Sequence, residues 1–218
     1  MGHINAVTMG SYGSAWQANG YSGSGNVEDL IDSLHGRPAV VAGNAATVFE
    51  EYDKYVQGDP YIFGVNDAGV YIPRVHAMVS LHTERLLLWR ALRKSGQGES
   101  RWWDDIKTHS FQKTVGLDYF WHELTPTCSL SGYFAMQIAH IMGAGRITLI
   151  GCPGSPVPRF FETRPRRDGF GYGGAASKVD DGTKKQIMLE AKRVPGLKDK
   201  VRSASGWTRE FFGAPEDI

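Results

Sequence analysis

The sequence predicts a single α/β domain, a mainly parallel sheet with helices on both faces, and three observations predict it. Two short, largely apolar runs end at glycine, Ala39-Val40-Val41-Ala42-Gly43 and Ile147-Thr148-Leu149-Ile150-Gly151, which reads as strands buried on both faces. Apolar residues recur at helical spacing from Ser131 to Met142, just before the second run, opening with a serine suited to an N-cap and stopping at Gly143. Between the two runs, strand-like and helix-like segments alternate. With right-handed crossovers, such interleaving leaves few topologies. Open sheets of this class bind ligands beyond the carboxyl ends of their strands, so the two glycine turns mark a binding site before any catalytic residue is named.

Each element has a local reason. Residues 27–34 read as a short helix broken by His35-Gly36-Arg37-Pro38, and residues 39–42 as the first strand. A helix from about Ala45 carries Val48, Tyr52 and Tyr55 until Gly58-Asp59-Pro60 ends it. Residues 61–65 form the second strand, 66–69 a turn, 75–80 the third strand and 83–94 a strong helix. The stretch 95–127, with Trp102, Trp103, His109, Trp121 and His122 among polar residues, reads as an irregular insertion with one strand near 117–121. Residues 152–181, rich in glycine and proline, read as a lid-like loop. A helix at 183–193, a strand at 200–203 and a closing helix at 206–212 complete the domain, which is expected to span 27–218. The Gly- and Ser-rich segment 1–26 reads as an arm that lies against a neighbour, implying a homo-oligomer.

Composition narrows the function. A chain of 218 residues with 41% hydrophobic content can bury one substantial core, and a net charge of +1 supplies no bulk attraction to nucleic acid or membrane. Two cysteines, Cys128 and Cys152, suit plain thiols in a reducing compartment. With no long apolar run and no basic-then-apolar leader, a cytoplasmic protein without membrane contact is expected.

The candidate chemistry clusters at the turns. Gly43-Asn44 ends the first strand and precedes a helix, an arrangement that suits a phosphate, although an ordinary strand-to-helix turn also accounts for it. Asn66 ends the second strand, where an amide serves a ribose or base edge or simply makes the turn. Ser131-Gly132 opens a helix, either as a ligand contact or as a cap. His82, with Glu84 nearby, and Asp67 are the candidate general bases, His82 the better placed; a cap for His82 and a backbone-bonded turn residue for Asp67 are the alternatives. Arg164, Arg166 and Arg167, with Arg159, sit in the glycine-rich loop, where they suit a diphosphate, a nucleic-acid backbone beside Phe170 and Tyr172, or plain solvent. Asp67 is the one acidic residue near these turns, so no metal site is indicated, Mg²⁺ included. Cys152, followed by proline, reads as a buried thiol, and His140 as structural.

The succession Val41-Ala42-Gly43-Asn44, Gly64-Val65-Asn66, Ser131-Gly132 and Ile147-Thr148-Leu149-Ile150-Gly151 resembles the bacterial sialyltransferase-like family, with a related pattern in hydroxymethylpterin diphosphokinase-like proteins. The resemblance implies a Rossmann-like, glycosyltransferase-like fold, a nucleotide sugar as substrate rather than a bound cofactor, and Gly43, Asn44, Asn66, Ser131 and Gly132 as nucleotide contacts. The chain departs from the family where Cys152-Pro153 replaces an acidic position and where no histidine follows His140. The tail 201–209 resembles the end of tailed-phage proteins, implying a viral origin in the host cytoplasm or the virion. The expected function is a nucleotide-sugar-dependent glycosyltransferase with a saccharide or nucleic-acid acceptor. A nucleotide diphosphokinase-like enzyme and a non-catalytic virion or assembly protein are the alternatives.

Overall fold

Short runs of β-branched and apolar residues bounded by turn formers become strands, and longer amphipathic runs become helices. The computed structural model describes residues 25–96, 106–121, 124, 130–160 and 180–216. In chain order its elements are a 3-10 helix at Val27–Leu30, β1 (Ala39–Ala42), α1 (Val48–Tyr55), β2 (Tyr61–Val65), α2 (Ala68–Tyr71), β3 (Ala77–Ser80) and α3 (Thr83–Lys94). There follow β4 (Lys107–Ser110), β5 (Tyr119–Phe120), α4 (Ser131–Ile141), β6 (Ile147–Ile150), α5 (Asp181–Arg193), α6 (Leu197–Lys200), β7 (Val201–Ser203) and α7 (Gly206–Phe212). The seven strands form one sheet in the order β5-β4-β3-β2-β1-β6-β7, and every pairing is parallel.

Alternate residues of each strand face opposite cores. Val40, Ala42, Ile62 and Met78 meet Val48, Val70, Leu86 and Trp89 from α1, α2 and α3. Ala39, Val41, Phe63 and Val79 meet Phe134, Ile138, Ile187, Leu197 and Phe212 from α4 to α7. Helices therefore cover both faces, as the sequence predicts for strands that are buried throughout. The crossover from β5 at one edge to β6 carries α4 across β3, β2 and β1. Strand order reverses between β1 and β6, which opens a crevice at their carboxyl ends. None of the helices among the described residues is long and apolar enough to cross a membrane.

Several expectations need correction. Residues 31–34 do not continue the first helix, because the Asp32, Leu34 and Gly36 N–H groups donate to the carbonyls of Ile141, Met142 and Gly143 at the end of α4. The turn at 66–69 passes into the helical turn α2, and the third strand starts at Ala77 rather than Val75. A strand, β4, lies inside the stretch expected to be irregular. Its Lys-Thr-His-Ser sequence hides it, yet Thr108, His109 and Ser110 are buried. Part of their polarity is answered locally: Asp118 accepts from the Thr108 N–H and hydroxyl at 2.9 and 2.7 Å, and Trp121 Nε1–H donates to His109 Nδ1 at 2.9 Å, while the buried His109 Nε2 has no hydrogen-bond partner among the described residues. The strand near 117–121 is confined to β5, and α6 is a helical turn the sequence reading lacked. Ser131 is not the cap of α4; Leu130 occupies that position without a side-chain bond. Of the arm, only Gly25 and Asn26 are described, and Gly25 abuts the Tyr119 ring.

Two buried ionisable groups show how tertiary packing overrides local pattern. Arg93 is 0% exposed and donates to the carbonyls of Gly69, Val70, Ile72 and Pro73, so it satisfies the acceptors at the end of α2. Burial draws its guanidinium down to about 10, with Tyr52 opposing. Burial likewise pushes His109 down to about 3, against a weaker pull from Asp118.

The His109 shift makes stability depend on pH. Unfolded histidine titrates near ~6.5, so between that value and the native one the unfolded chain binds the extra proton, and stability falls as pH falls. We predict that urea midpoints measured from pH 7 to 4.5 decline, with His109 contributing up to about 1.4 kcal/mol per pH unit. His109→Gln keeps an acceptor for Trp121 but cannot titrate, and it should flatten that decline; an unaltered slope would refute the assignment.

Candidate functional site

The crevice is built on two glycines that touch. Register pairs Ala42 with Ile150, so the next residues, Gly43 and Gly151, leave the sheet side by side. Gly43 N–H donates to Ile150 O at 2.8 Å and Ala45 N–H to Gly151 O at 3.1 Å. A Cβ on Gly43 would stand 2.4 Å from Gly151 O and 2.5 Å from Cys152 Sγ. Gly151 has φ +60°, and a Cβ there would meet Gly43 O at 2.6 Å. Beneath the contact, the buried Glu51 of α1 accepts the Gly151 N–H at 2.7 Å. Glu51 looks like a solvated helix residue in the sequence; its burial exists only in the fold.

Around this contact lies a cleft of about 220 Å³. Every candidate nucleotide contact lines it, namely Gly43, Asn44, Asn66, Ser131 and Gly132, and so do His82 and Asp67. Arg164, Arg166 and Arg167 lie outside the described residues. Arg159, weighed with the other loop arginines as a diphosphate contact, lines the cleft, as do Cys152, expected as a buried thiol, and Thr208, which the sequence did not single out. Leu149, Met136, Ile187 and Phe212 give the opposite wall an apolar character.

The polar side chains share one property: the protein uses their acceptors. Asn44 Oδ1 accepts from Ala68 N–H at 2.8 Å, while its Nδ2 donates to Asp67 Oδ2 at 3.3 Å. Asn66 Oδ1 accepts from the Ser80 hydroxyl at 2.5 Å, a separation that fits O–H···O but is shorter than the ~2.7 Å minimum of N–H···O bonds. Ser80 Oγ in turn accepts from His82 N–H at 2.8 Å. Ser131 Oγ accepts from Leu81 N–H at 3.1 Å, which takes over the role expected of it as a cap. Asn66 has φ +53°, a left-handed conformation that asparagine tolerates better than most residues. The amide hydrogens of Asn66, one of Asn44 and the hydroxyl hydrogen of Ser131 remain for a ligand. In α4 the first intrahelical bond runs from Phe134 N–H to Leu130 O, so the Ser131 and Gly132 amides precede the helical ladder at its positive end.

The titratable groups divide sharply. His82 stands at the N-cap position of α3, with a side chain 43% exposed and Nδ1 3.9 Å from Glu84 Oε1. His76, the other histidine beside the third strand, is at the amino end of β3, outside the cleft lining. There it accepts Ile62 N–H and stacks on Tyr61, and burial followed by Arg37 and Arg74 lowers it to about 4. His140 is drawn down to about 4, chiefly by burial, and does not line the cleft. Asp67 is 5% exposed and is held by the Asn44 amide; its carboxylate makes no cap bond to α2. Although Cys152 is partly exposed, burial and then the Glu51 carboxylate push its thiol up to about 12, which keeps it protonated and unsuited to nucleophilic attack. The cleft's far rim is fastened by Thr208, which donates to Cys152 O at 2.7 Å through its hydroxyl and to Pro153 O at 3.1 Å through its N–H.

No family model matches the chain, and no curated protein matches it by sequence. Among solved structures, it is similar to the sialyltransferase CstII from Campylobacter jejuni, solved in complex with a substrate analogue, cytidine-5'-monophosphate. The two share 15% identity with a TM-score of 0.53, over 82% of this chain and 84% of the other. That likeness shows a sialyltransferase-like, glycosyltransferase-like α/β fold, the class anticipated from the turns.

The glycine contact makes a measurable prediction. Gly43→Ala drives a Cβ into backbone and should cost about 2 kcal/mol or more in urea unfolding. Gly132→Ala meets only the Cys152 Sγ at 3.3 Å and should change stability by less than about 1 kcal/mol. Equal losses at the two positions would contradict this account.

Proposed function

We propose that this chain is a nucleotide-sugar-dependent glycosyltransferase whose donor binds in the cleft at the β1/β6 switch point. The observation that carries the reading is that Asn44, Asn66 and Ser131 each have the side-chain oxygen engaged by a protein hydrogen, which leaves their N–H and O–H groups as the readier contacts. Such a site favours a ligand rich in acceptors, and phosphate oxygens beside a ribose meet that description. Gly43 and Gly132 allow close approach, and the start of α4 adds the positive end of its dipole.

In this reading, an acceptor hydroxyl attacks the anomeric carbon of the sugar, the bond to the phosphate oxygen breaks, and the nucleotide leaves with the electron pair. His82 takes the hydroxyl proton. Its exposed position in the cleft lining, with Nδ1 3.9 Å from Glu84 Oε1, supports that role over Asp67, which is buried and committed to Asn44. An arm-mediated oligomer and a saccharide acceptor belong to the same proposal.

Calorimetric titration with nucleotides and nucleotide sugars tests it, and at least one nucleotide should bind. Asn66→Asp keeps the oxygen that accepts from Ser80 and tolerates the left-handed backbone, yet it replaces the free NH₂ with a charged acceptor. It should weaken that nucleotide by about tenfold or more without loss of fold. A panel without a binder, or a variant that binds equally well, would sink the nucleotide reading and leave a non-catalytic assembly role on this fold. Binding of ATP or GTP that strengthens with Mg²⁺ would instead favour the diphosphokinase-like alternative.

A further inference from the structure

After β6 the chain turns back across the switch point before leaving it. Residues 151–160 form a strap fastened at both ends. At its start, Glu51 holds the Gly151 N–H, and Thr208 holds the carbonyls of Cys152 and Pro153. At its far end, Ala46 N–H donates to Pro158 O at 2.9 Å, Phe160 N–H donates to Asn44 O at 3.0 Å, and Ala45 and Arg159 form an antiparallel bridge. Phe160 is 4% exposed; its ring meets Phe49 at 5.4 Å and Tyr71 at 5.6 Å, both edge-on. The phenylalanine is thus a bolt driven into the core beneath α1 and α2.

Arg159 stands one residue before that bolt and lines the cleft, the only lysine or arginine among the described residues that do so. Asn44 joins the two charges of the site. Its side chain holds the Asp67 carboxylate, and its carbonyl receives the strap immediately after Arg159. A cation delivered by fixed backbone loses less freedom on binding than one on an unanchored segment, and a guanidinium fork matches two oxygens of one phosphate.

We propose that Arg159 is the residue that binds the ligand's phosphate group, with Phe160 setting its reach. The inference rests on the nucleotide reading for the rest of the ligand, but not for the anion itself. A phosphate bridging Arg159 to the hydrogens of Asn66 and Ser131 would share the cleft with one carboxylate, Asp67, which is 5% exposed and accepts from the Asn44 amide.

The test is calorimetry at two salt concentrations with inorganic pyrophosphate, a panel of nucleoside monophosphates and the matching nucleosides. Arg159→Ala should weaken the monophosphates and pyrophosphate by about tenfold or more, leave the nucleosides within about twofold, and shrink the salt dependence. Arg159→Lys should recover part of the loss, because it restores charge without the fork. Phe160→Ala should weaken the phosphate ligands in the same direction through loss of the bolt, with urea unfolding to confirm a folded protein. If Arg159→Ala does not fold, the lysine variant decides: phosphate affinity equal to wild type overturns the proposal. Loss of nucleoside and nucleotide in equal measure, or no loss, also overturns it. Arg159-dependent pyrophosphate binding without any nucleotide binding upholds the strap's role and sinks the nucleotide reading. Nucleotide binding indifferent to Arg159 does the reverse, and a protein that binds neither sinks both.

Discussion

The contact between Gly43 and Gly151 is the constraint on which the site depends. Parallel pairing of β1 with β6 brings two chain reversals to one place, and only residues without a Cβ let both proceed. Glu51 then closes the space below by accepting the Gly151 N–H. From there one turn carries Asn44 toward Asp67 and α2, while the other releases the strap that comes back over it. Moving either glycine would shift both walls of the cleft together. Structural economy of this kind ties the shape of the pocket to the pairing of the sheet.

A second theme is how the fold settles the ambiguity of amide and hydroxyl groups. Asparagine offers both a donor and an acceptor, and in isolation Asn44 and Asn66 are uncommitted. The N–H of Ala68 and the hydroxyl of Ser80 choose for them. Leu81 makes the same choice for Ser131. The hydrogen-bonding roles of the cleft side chains are therefore set by the Ala68 N–H of α2, the Ser80 hydroxyl at the end of β3 and the Leu81 N–H of the β3-to-α3 turn.

Much of the architecture was legible because buried parallel strands leave a strong apolar signal. β1, β2, α3 and α7 have the bounds their patterns predict, and the turn residues at the carboxyl ends of the strands do converge. β4 was hidden because Thr108, His109 and Ser110 are polar, and only their partners Asp118 and Trp121, farther along the chain, make burial tolerable. The end of the first helix was misread for a related reason. Its N–H groups find acceptors at the end of α4, more than a hundred residues away. In the site, the residues that announce themselves by turn chemistry were found. Glu51 was not singled out, since an acid on an amphipathic helix carries no mark of its burial, and Arg159 was one of four loop arginines weighed alike, with no mark of its place in the cleft.

The place of β6 in the sheet also sets the order in which the site can be completed during synthesis. Strands β5 to β1 are contiguous in space and in sequence, so five neighbours can assemble as the chain emerges. β1 nevertheless presents an unpaired edge until β6 arrives, since Ala39 pairs with Ile147. That bare edge, internal in the finished sheet, is the region most open to wrong pairing with another nascent chain. α4 is made just before β6 and packs across β3, β2 and β1, so it can cover one face of the waiting strands while their last partner is still being synthesised. The cleft, lying where β1 and β6 meet, is consequently among the last features to form, and a chain that stops short of β6 lacks it.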